Sequence, residues 1–283
     1  MRSVVLVLLA CGCNQVFGIE DTLLVDAGAG GPDLDKDGVI DFVDDCFAAA
    51  ADADISSDGD TLANADDPCP LDADEDPADG DADGIPDTCD PFPAIPGDRL
   101  LCLMAFQDPA VTSALFRTRE GELGWDLAGA PTAETVGDSR ILVATTDRIE
   151  RAPSTTYDVA ADYTAASQAS VLRVSLRAGV DSAEFDVACG TAGGRAMTYV
   201  GSVGTGSSAT IPFAMADRLR IRATIQGSGS ANSVRCKVST GGQSVEYANA
   251  PFLRAGRFGL QATGWNVVVG AVAVYTRDNT PVL

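Results

Sequence analysis

The sequence predicts a mainly β protein in which a β-sandwich follows an irregular acidic segment. Charge divides the chain: of its 41 acidic and 19 basic residues, 25 acidic residues but only one basic residue lie between Glu20 and Asp98. From Arg99 onward the charges nearly cancel, and short runs alternate apolar with polar residues. Alternation with a period of two is typical of half-buried strands. The remainder of the chain is long enough for one packed domain.

The alternation recurs often enough to predict two sheets. Residues 172–177 and 219–225 show it most clearly, because Leu219 and Ile221 alternate with Arg220 and Arg222. Similar runs occur at 141–145, 156–163, 185–189, 234–238, 257–262 and 266–275. This number of strands fits a two-sheet sandwich, and no helical run of comparable length is present.

Two aspartate ladders mark the acidic segment. Each places carboxylates at positions 1, 3, 5, 9 and 12 of a twelve-residue loop, with glycine at position 6, which is the spacing of a calcium loop. The predicted ligands are Asp33, Asp35, Asp37, Asp41 and Asp44 with the carbonyl of Val39, and Asp79, Asp81, Asp83, Asp87 and Asp90 with the carbonyl of Ile85. The alternative is a disordered acidic tract that only keeps the chain soluble.

The ladders resemble thrombospondin type 3 repeats, whose Asp-x-Asp-x-Asp-Gly units end in Asp-x-Cys-Pro. The resemblance covers residues 33–93, and it includes a degenerate copy with Ser56 at position 1 and Thr61 at position 6. That copy adds the candidate ligands Asp58, Asp60, Asn64 and Asp67. Because the segment has few large apolar residues, calcium and disulfides must supply its structure.

The same resemblance implies a pairing of cysteines. In the family, a cysteine at position 11 pairs with the terminal cysteine of the preceding repeat, so the resemblance implies a Cys69–Cys89 disulfide. It leaves Cys46 and Cys102 as possible partners.

Two cysteines in the predicted sandwich occupy inward positions of their strands. Cys189 and Cys236 could form a core disulfide, and two separate buried thiols are the alternative.

The amino terminus predicts export. Arg2 precedes a short apolar run at 4–10, and Cys11 follows Ala10. This arrangement resembles a bacterial lipobox, which implies a lipoprotein signal peptide at 1–10, a lipidated Cys11 and an anchor and linker at 11–32. It implies anchoring to the outer membrane or cell surface, with membrane contact through lipid only. An ordinary cleaved signal or a mis-assigned start is the alternative.

The end of the chain is similar to the last strands of concanavalin A-like jelly rolls, the superfamily of lectins, laminin-G domains and glucanases. The sequence of residues 256–275 carries this similarity, which implies a jelly-roll sandwich over residues 99–283. The fold hosts binders and enzymes, so it assigns no activity.

The residue types favour binding over catalysis. The chain contains no histidine, which removes the usual general base and every Ser-His or Cys-His nucleophile. Glu184 and Asp186 resemble part of the catalytic strand of family 16 glucanases, but Cys189 stands where the proton donor is needed. We therefore predict no enzyme activity. A polysaccharide-active glycoside hydrolase and a purely structural envelope protein are the alternatives.

Outward-facing residues indicate the candidate contact surfaces. Arg173, Arg177, Arg218, Arg220, Arg222, Arg235 and Lys237 could form a cationic face. Anionic glycans and the acidic segment itself are the two candidate docking partners for such a face, and a solvated sheet face is the plainer interpretation. Trp125 and Trp265 are either sugar platforms or core residues.

The sequence hypothesis is thus a surface lipoprotein that functions in adhesion. A calcium-stabilised spacer holds a lectin-like sandwich away from the membrane, and the sandwich binds glycan or protein. Nucleic acid is excluded as a partner by the net charge of −22 and by the lack of interleaved stacking aromatics.

Overall fold

The computed structural model describes most of the sandwich and part of the acidic segment. The described residues are 52–73, 78–118, 124–134, 139–144, 154–165, 171–178, 185–200, 203–211, 218–226, 233–249, 257–264 and 266–277. No helix within these ranges is long and apolar enough to cross a membrane.

The first sheet is antiparallel and has seven strands among the described residues. Its order is β1 (Asp98–Met104), β14 (Asn266–Arg277), β5 (Ser154–Ala165), β10 (Leu219–Gln226), β11 (Ser233–Thr240) and β12 (Gln243–Asn249), with β3 (Thr132–Glu134) also paired to β14. Strands that are distant in sequence are therefore neighbours, so the two ends of the domain meet in one sheet.

The second sheet also has seven described strands. Its order is β2 (Phe116–Thr118), β4 (Ser139–Ala144), β13 (Arg257–Thr263), β6 (Val171–Ala178), β7 (Phe185–Ala192), β8 (Arg195–Val200) and β9 (Val203–Gly206). One short helix, α1 (Pro109–Leu115), connects the sheets between β1 and β2. The Asp108 side chain caps this helix by accepting a hydrogen bond from the Ala110 N–H at 2.8 Å.

The core lies between the sheets and follows the predicted alternation. Leu219 and Ile221 of β10 are fully buried, as are Leu172 and Leu260 from the opposite sheet. The Cys189–Cys236 disulfide joins β7 to β11 through this core. The predicted fold class, a mainly β sandwich with disulfides, is confirmed.

The described part of the acidic segment has little regular structure, and it packs against the outer face of the first sheet. The Cys69–Cys89 disulfide is present, and both cysteines are buried. Around them a second apolar cluster forms from Leu71, Ile85, Leu103, Ala160, Ala271, Ala273 and Tyr275. Small side chains on β5 and β14 let the segment approach the sheet closely.

The spacer hypothesis expected this segment to hold the sandwich at a distance. The described residues of the segment, 52–73 and 78–97, instead lie against the sandwich and form part of its surface. The reason is charge and apolar complementarity between the segment and one face of the first sheet.

Candidate cation sites and the adjoining cleft

The degenerate copy, residues 56–67, is the second of the three loops in chain order, and it brings together three of its four predicted ligands. Oxygen atoms of Asp58, Asp60 and Asp67 lie within 4.8 Å of one another. Two short turns direct them inward, because the Asp60 N–H donates to Asp58 Oδ1 at 3.1 Å and the Leu62 N–H donates to Asp60 Oδ1 at 2.8 Å. Gly59, with φ of +87°, allows the chain to reverse at this point.

The fourth predicted ligand of this loop has another role. Asn64 Oδ1 accepts a hydrogen bond from the Ser57 N–H at 3.0 Å, and its amide donates to the Asp52 carbonyl at 2.6 Å. Asn64 thus ties the loop to the chain before it. The degenerate copy therefore retains a three-carboxylate cluster although Thr61 replaces glycine at position 6.

The third loop in chain order, residues 79–90, forms a similar cluster from Asp79, Asp81 and Asp83, whose oxygens also lie within 4.8 Å of one another. The predicted ligand Asp87 is not among them, because its Oδ1 accepts a hydrogen bond from the Gly80 N–H at 2.7 Å. Asp87 therefore closes the loop from outside the cluster.

The structure also shows the positions of Ile85 and Gly84 in this loop. Ile85, predicted to offer its carbonyl, buries its side chain in the apolar cluster against the first sheet. Gly84, at position 6, has φ of +99°, as the ladder requires of glycine.

Gly84→Ala tests the loop conformation directly. A Cβ at Gly84 would meet no atom within 4 Å, so the substitution changes only backbone strain. We expect a cost of about 1 to 2 kcal/mol and calcium binding about tenfold weaker in calorimetric titration of the full chain. Gly129→Ala is the control, because Gly129 also has open space but no positive φ. Equal affinities of Gly84→Ala and wild type would contradict the loop interpretation.

A third group of carboxylates was not predicted as a unit. Asp83 and Asp90 of the third loop meet Asp98, the first residue of β1, with oxygens within 4.8 Å of one another. Burial raises the pKa of Asp98 to about 7, and the charges of Asp90 and Asp83 add to the effect. Burial also raises the pKa of Asp90 to about 6, and the charges of Asp83 and Asp81 add to that effect. Such crowded carboxyl groups favour a cation between them.

The donor set of these groups fits calcium. All three groups offer only carboxylate oxygens, the ligands that hard divalent cations prefer. One buried oxygen each of Asp58 and Asp81 has no hydrogen-bond partner in the described part of the chain. Buried oxygens without donors are costly unless a cation compensates them.

Asp158 on β5 holds the acidic segment to the sheet through two arginines. Its Oδ1 lies 2.7 Å from Arg220 Nε, and its Oδ2 lies 2.7 Å from Arg222 Nε. Arg220 also binds the Asp72 carboxylate and the Leu71 carbonyl of the acidic segment. Burial would raise the pKa of Asp158, but the two guanidinium charges outweigh it and lower the pKa to about 2.

Two further contacts fix the ends of the docked segment. The Arg277 guanidinium lies 4.3 Å from the ring centre of buried Phe92, which occupies the position where other repeats have cysteine. At the other end, the Asp52 carboxylate accepts hydrogen bonds from the N–H groups of Ala105 and Gln107 at 2.7 and 3.1 Å. The segment is thus held at both ends and in the middle.

A cleft of about 200 Å³ opens where the third loop meets β10, β11 and β12. Its lining consists mostly of hydrogen-bonding side chains: Asp87, Thr88, Asp90, Pro91, Pro93, Arg222, Thr224, Arg235, Lys237 and Glu246. The lining residues include three with carboxylate side chains and three with cationic side chains, so their formal charges balance. We call it the joint cleft.

The three cationic side chains of the joint cleft differ in the ion pairs that they form. Arg222 is held by Asp158, and Arg235 Nε lies 3.3 Å from a Glu246 oxygen. Lys237 stands opposite Arg222 on one neighbouring strand and opposite Glu246 on the other. It lines the cleft and forms no ion pair with any of the described residues.

The seven predicted cations do not form one free face. Arg173 belongs to the second sheet, where it lies 3.8 Å from the Tyr199 ring centre and donates to Gln261. Of the others, Arg220 and Arg222 face the docked acidic segment, in line with one of the two docking partners considered. Trp125 is buried in the core, so it serves packing and not sugar stacking.

Several predicted site residues lie outside the described residues. They are Cys11, Asp33, Asp35, Asp37, Val39, Asp41, Asp44, Cys46, Glu184 and Trp265, together with the side chains of Arg177 and Asp186. Cys102 is disulfide-bonded, but the structure does not describe its predicted partner Cys46. These predictions stand as made.

Sequence reasoning missed Asp72, Asp98 and Asp158. One signal was available for Asp158: it lies between the apolar residues Tyr157 and Val159, so it takes the outward face of a strand that pairs with the arginine-bearing strand. Asp98 gave no such signal, because it lies beyond the twelve-residue spacing of the ladder.

Comparisons with known proteins concern the fold. No protein-family model and no curated protein matches the chain. Similar solved structures include a protein of unknown function from Shewanella oneidensis MR-1, with 11% identity, a TM-score of 0.44, and coverage of 66% of this chain and 90% of that chain.

Two lectin-type structures are also similar. Peanut lectin with a nine-residue peptide has 10% identity and a TM-score of 0.41, covering 61% of this chain and 95% of that one. Arcelin-5, a lectin-like defence protein from Phaseolus vulgaris, has 8% identity and a TM-score of 0.44, covering 62% and 97%. The structural neighbours are thus lectin-like β-sandwiches, and at these identities they carry no argument about a ligand.

Proposed function

We propose that this protein is a non-catalytic, calcium-stabilised glycan-binding protein that takes its ligand in the joint cleft. The observation that carries the proposal is the lining of that cleft: charged and hydroxyl side chains, held at a junction whose other wall is a predicted calcium loop. Calcium acts structurally, by ordering the loop that supplies Asp87 and Asp90 to the cleft.

The chemistry of the cleft favours a hydroxyl-rich ligand. Carboxylates accept and guanidinium groups donate hydrogen bonds in fixed directions, which suits vicinal hydroxyl groups. Pro91 and Pro93 add two apolar surfaces against which the C–H face of a sugar ring can pack. Because the formal charges balance, a neutral glycan fits better than a polyanion. A protein partner is less well suited, since protein interfaces use large apolar or aromatic anchors, and the cleft has none.

The location of the protein is part of the proposal. Lipidation of Cys11 would place the glycan site at the outer membrane or cell surface, where adhesion is the natural role. Mass spectrometry of the mature amino terminus tests this step. An unmodified Cys11 would refute the lipid anchor but would not affect the proposal for the cleft.

A glycan array with the full chain tests the binding function. We expect binding to neutral glycans in calcium and loss of binding in chelator. Lys237→Met should weaken binding about 10- to 100-fold, because one charge-assisted hydrogen bond is lost. Arg117→Met, an exposed cation on the other sheet, is the control and should leave binding unchanged. Absence of binding to every glycan, or binding that is indifferent to Lys237, would refute the proposal.

The enzyme alternative is tested in the same experiment. Glycans that bind are incubated with the protein, and products are analysed for newly released reducing ends. Turnover that is lost on changing Glu184 or Asp186 would favour a glycoside hydrolase over a binder.

A further inference from the structure

Asp98 places a sandwich carboxylate among the ligands of the acidic segment. It is the first residue of β1, and its side chain meets those of Asp83 and Asp90. Asp90 and Asp98 are only 2% and 4% exposed. Among the described residues, no basic, amide or hydroxyl group donates to the Oδ2 atom of either, and the two carboxyl groups face each other, where they can share a proton or a cation.

The same sheet face shows how a buried carboxylate is normally satisfied. Asp158 accepts hydrogen bonds from Arg220 and Arg222, which lie on the same face of the first sheet. Among the described residues that act on it, Asp98 has one cation: Arg277, its cross-strand neighbour on β14. That guanidinium packs on Phe92, and its Nη1 atom has no hydrogen-bond partner within the described residues. Three crowded carboxylates therefore lack the positive charge that burial requires.

We infer that Asp83, Asp90 and Asp98 together bind a divalent cation, calcium, which joins the last acidic loop to the first strand of the sandwich. The cluster is more than a set of acidic residues, because Asp90 and Asp98 are buried and each has an oxygen without a hydrogen-bond donor in the described part of the chain. Oxygen-only donors favour calcium among the common biological cations. The remaining coordination positions would fall to water and backbone carbonyls.

Asp83 is placed to serve two cations. Its oxygens belong both to the group with Asp79 and Asp81 and to the group with Asp90 and Asp98. Its Oδ2 also accepts hydrogen bonds from the N–H groups of Gly97 and Asp98, at 3.0 and 2.7 Å. The chain is thereby turned so that Asp98 points back towards the loop.

The site couples calcium to docking, which goes beyond glycan binding. Asp83 and Asp90 belong to the acidic segment and Asp98 to β1, so a cation held by all three binds the docked arrangement more tightly than the released one. Calcium therefore stabilises the contact between segment and sheet by the free energy of binding at this site. Asp90 also lines the joint cleft, so the wall of the cleft is held by the same ion.

The number of bound calcium ions tests the inference. The full chain, freed of metal, is equilibrated with calcium, and bound calcium is measured by elemental analysis. Asp98→Asn should bind one ion fewer than wild type, Asp98→Glu should restore it, and Asp126→Asn, an exposed carboxylate of the same domain, should match wild type. Hydrogen exchange at the amides of Gly97 and Asp98 should slow with calcium in wild type but not in Asp98→Asn.

A crystallographic measurement makes the test independent of variant folding. Crystals of the wild-type chain grown in calcium should give an anomalous peak between Asp83, Asp90 and Asp98. Equal stoichiometry of Asp98→Asn and wild type, or no peak at this position, would overturn the inference. In either case, the glycan array still tests the proposed function independently.

Discussion

Asp158→Asn is expected to lower the free energy of unfolding by about 3 to 5 kcal/mol, because it leaves two buried arginines without their counter-charge. The side chains of Arg220 and Arg222 are only 14% and 12% exposed, and the carboxylate that they share is fully buried. Asp72 can neutralise part of the remaining charge, but it is the only other carboxylate in contact with them among the described residues. Removing the charge therefore weakens both the sheet and the docked segment.

Urea denaturation in calcium measures this effect, and the chain supplies a matched control. Asp162 lies four residues further along the same strand and pairs with Arg218 at 3.4 Å, but the two side chains are 61% and 39% exposed. Asp162→Asn should cost less than about 1 kcal/mol, because water screens an exposed pair. Similar costs for the two variants would show that burial does not govern the strength of the Asp158 contacts.

The pH dependence of this contribution has a definite sign. The folded pKa of Asp158, about 2, lies below its ordinary value of 3.8, so the unfolded chain binds the proton more readily. The stabilisation is fully present above the ordinary value and is lost as the pH falls from about 4 through 2. In Asp158→Asn, the part of acid destabilisation that arises in this range should be reduced.

Local patterns in the sequence predicted the local features of the structure. A period of two identified the strands, because burial on one face of a sheet requires it. Loop spacing identified the clusters of Asp58, Asp60 and Asp67 and of Asp79, Asp81 and Asp83, because these side chains are turned inward by a few backbone angles. Each inference depends on residues within about a dozen positions of one another.

Contacts between residues that are distant in sequence were not predicted from these local patterns. The meeting of Asp98 with Asp90 depends on the path of the chain after Pro91, and the docking of Asp72 on Arg220 joins residues 148 positions apart. A highly charged segment can extend into solvent or lie on an oppositely charged face, and composition alone does not distinguish these outcomes. Ala160, Ala271 and Ala273 favour the docked arrangement, since their small side chains leave room for the Cys69–Cys89 disulfide against the sheet.

Simultaneous replacement of Cys189 and Cys236 by alanine is the second change with a large expected effect. The disulfide closes a loop of 47 residues between β7 and β11, and both cysteines are fully buried between the sheets. Chain-entropy arguments assign such a cross-link about 4 kcal/mol, because it restricts the unfolded chain. We expect a lower urea midpoint and a larger m value for the double variant, since its unfolded state exposes more surface.

The Cys69→Ala/Cys89→Ala double variant separates a cross-link within the sandwich from one in the docked segment. Its loop spans 20 residues, for which the same argument gives about 3 kcal/mol, but the bridge joins no strands. We expect this variant to lose calcium affinity and protection in residues 52–97 while the amides of β7 and β11 stay protected from exchange. The Cys189→Ala/Cys236→Ala variant should lose protection in both sheets together. Identical exchange patterns in the two variants would contradict separate unfolding of the segment and the sandwich, because they would mean that both unfold as one cooperative unit.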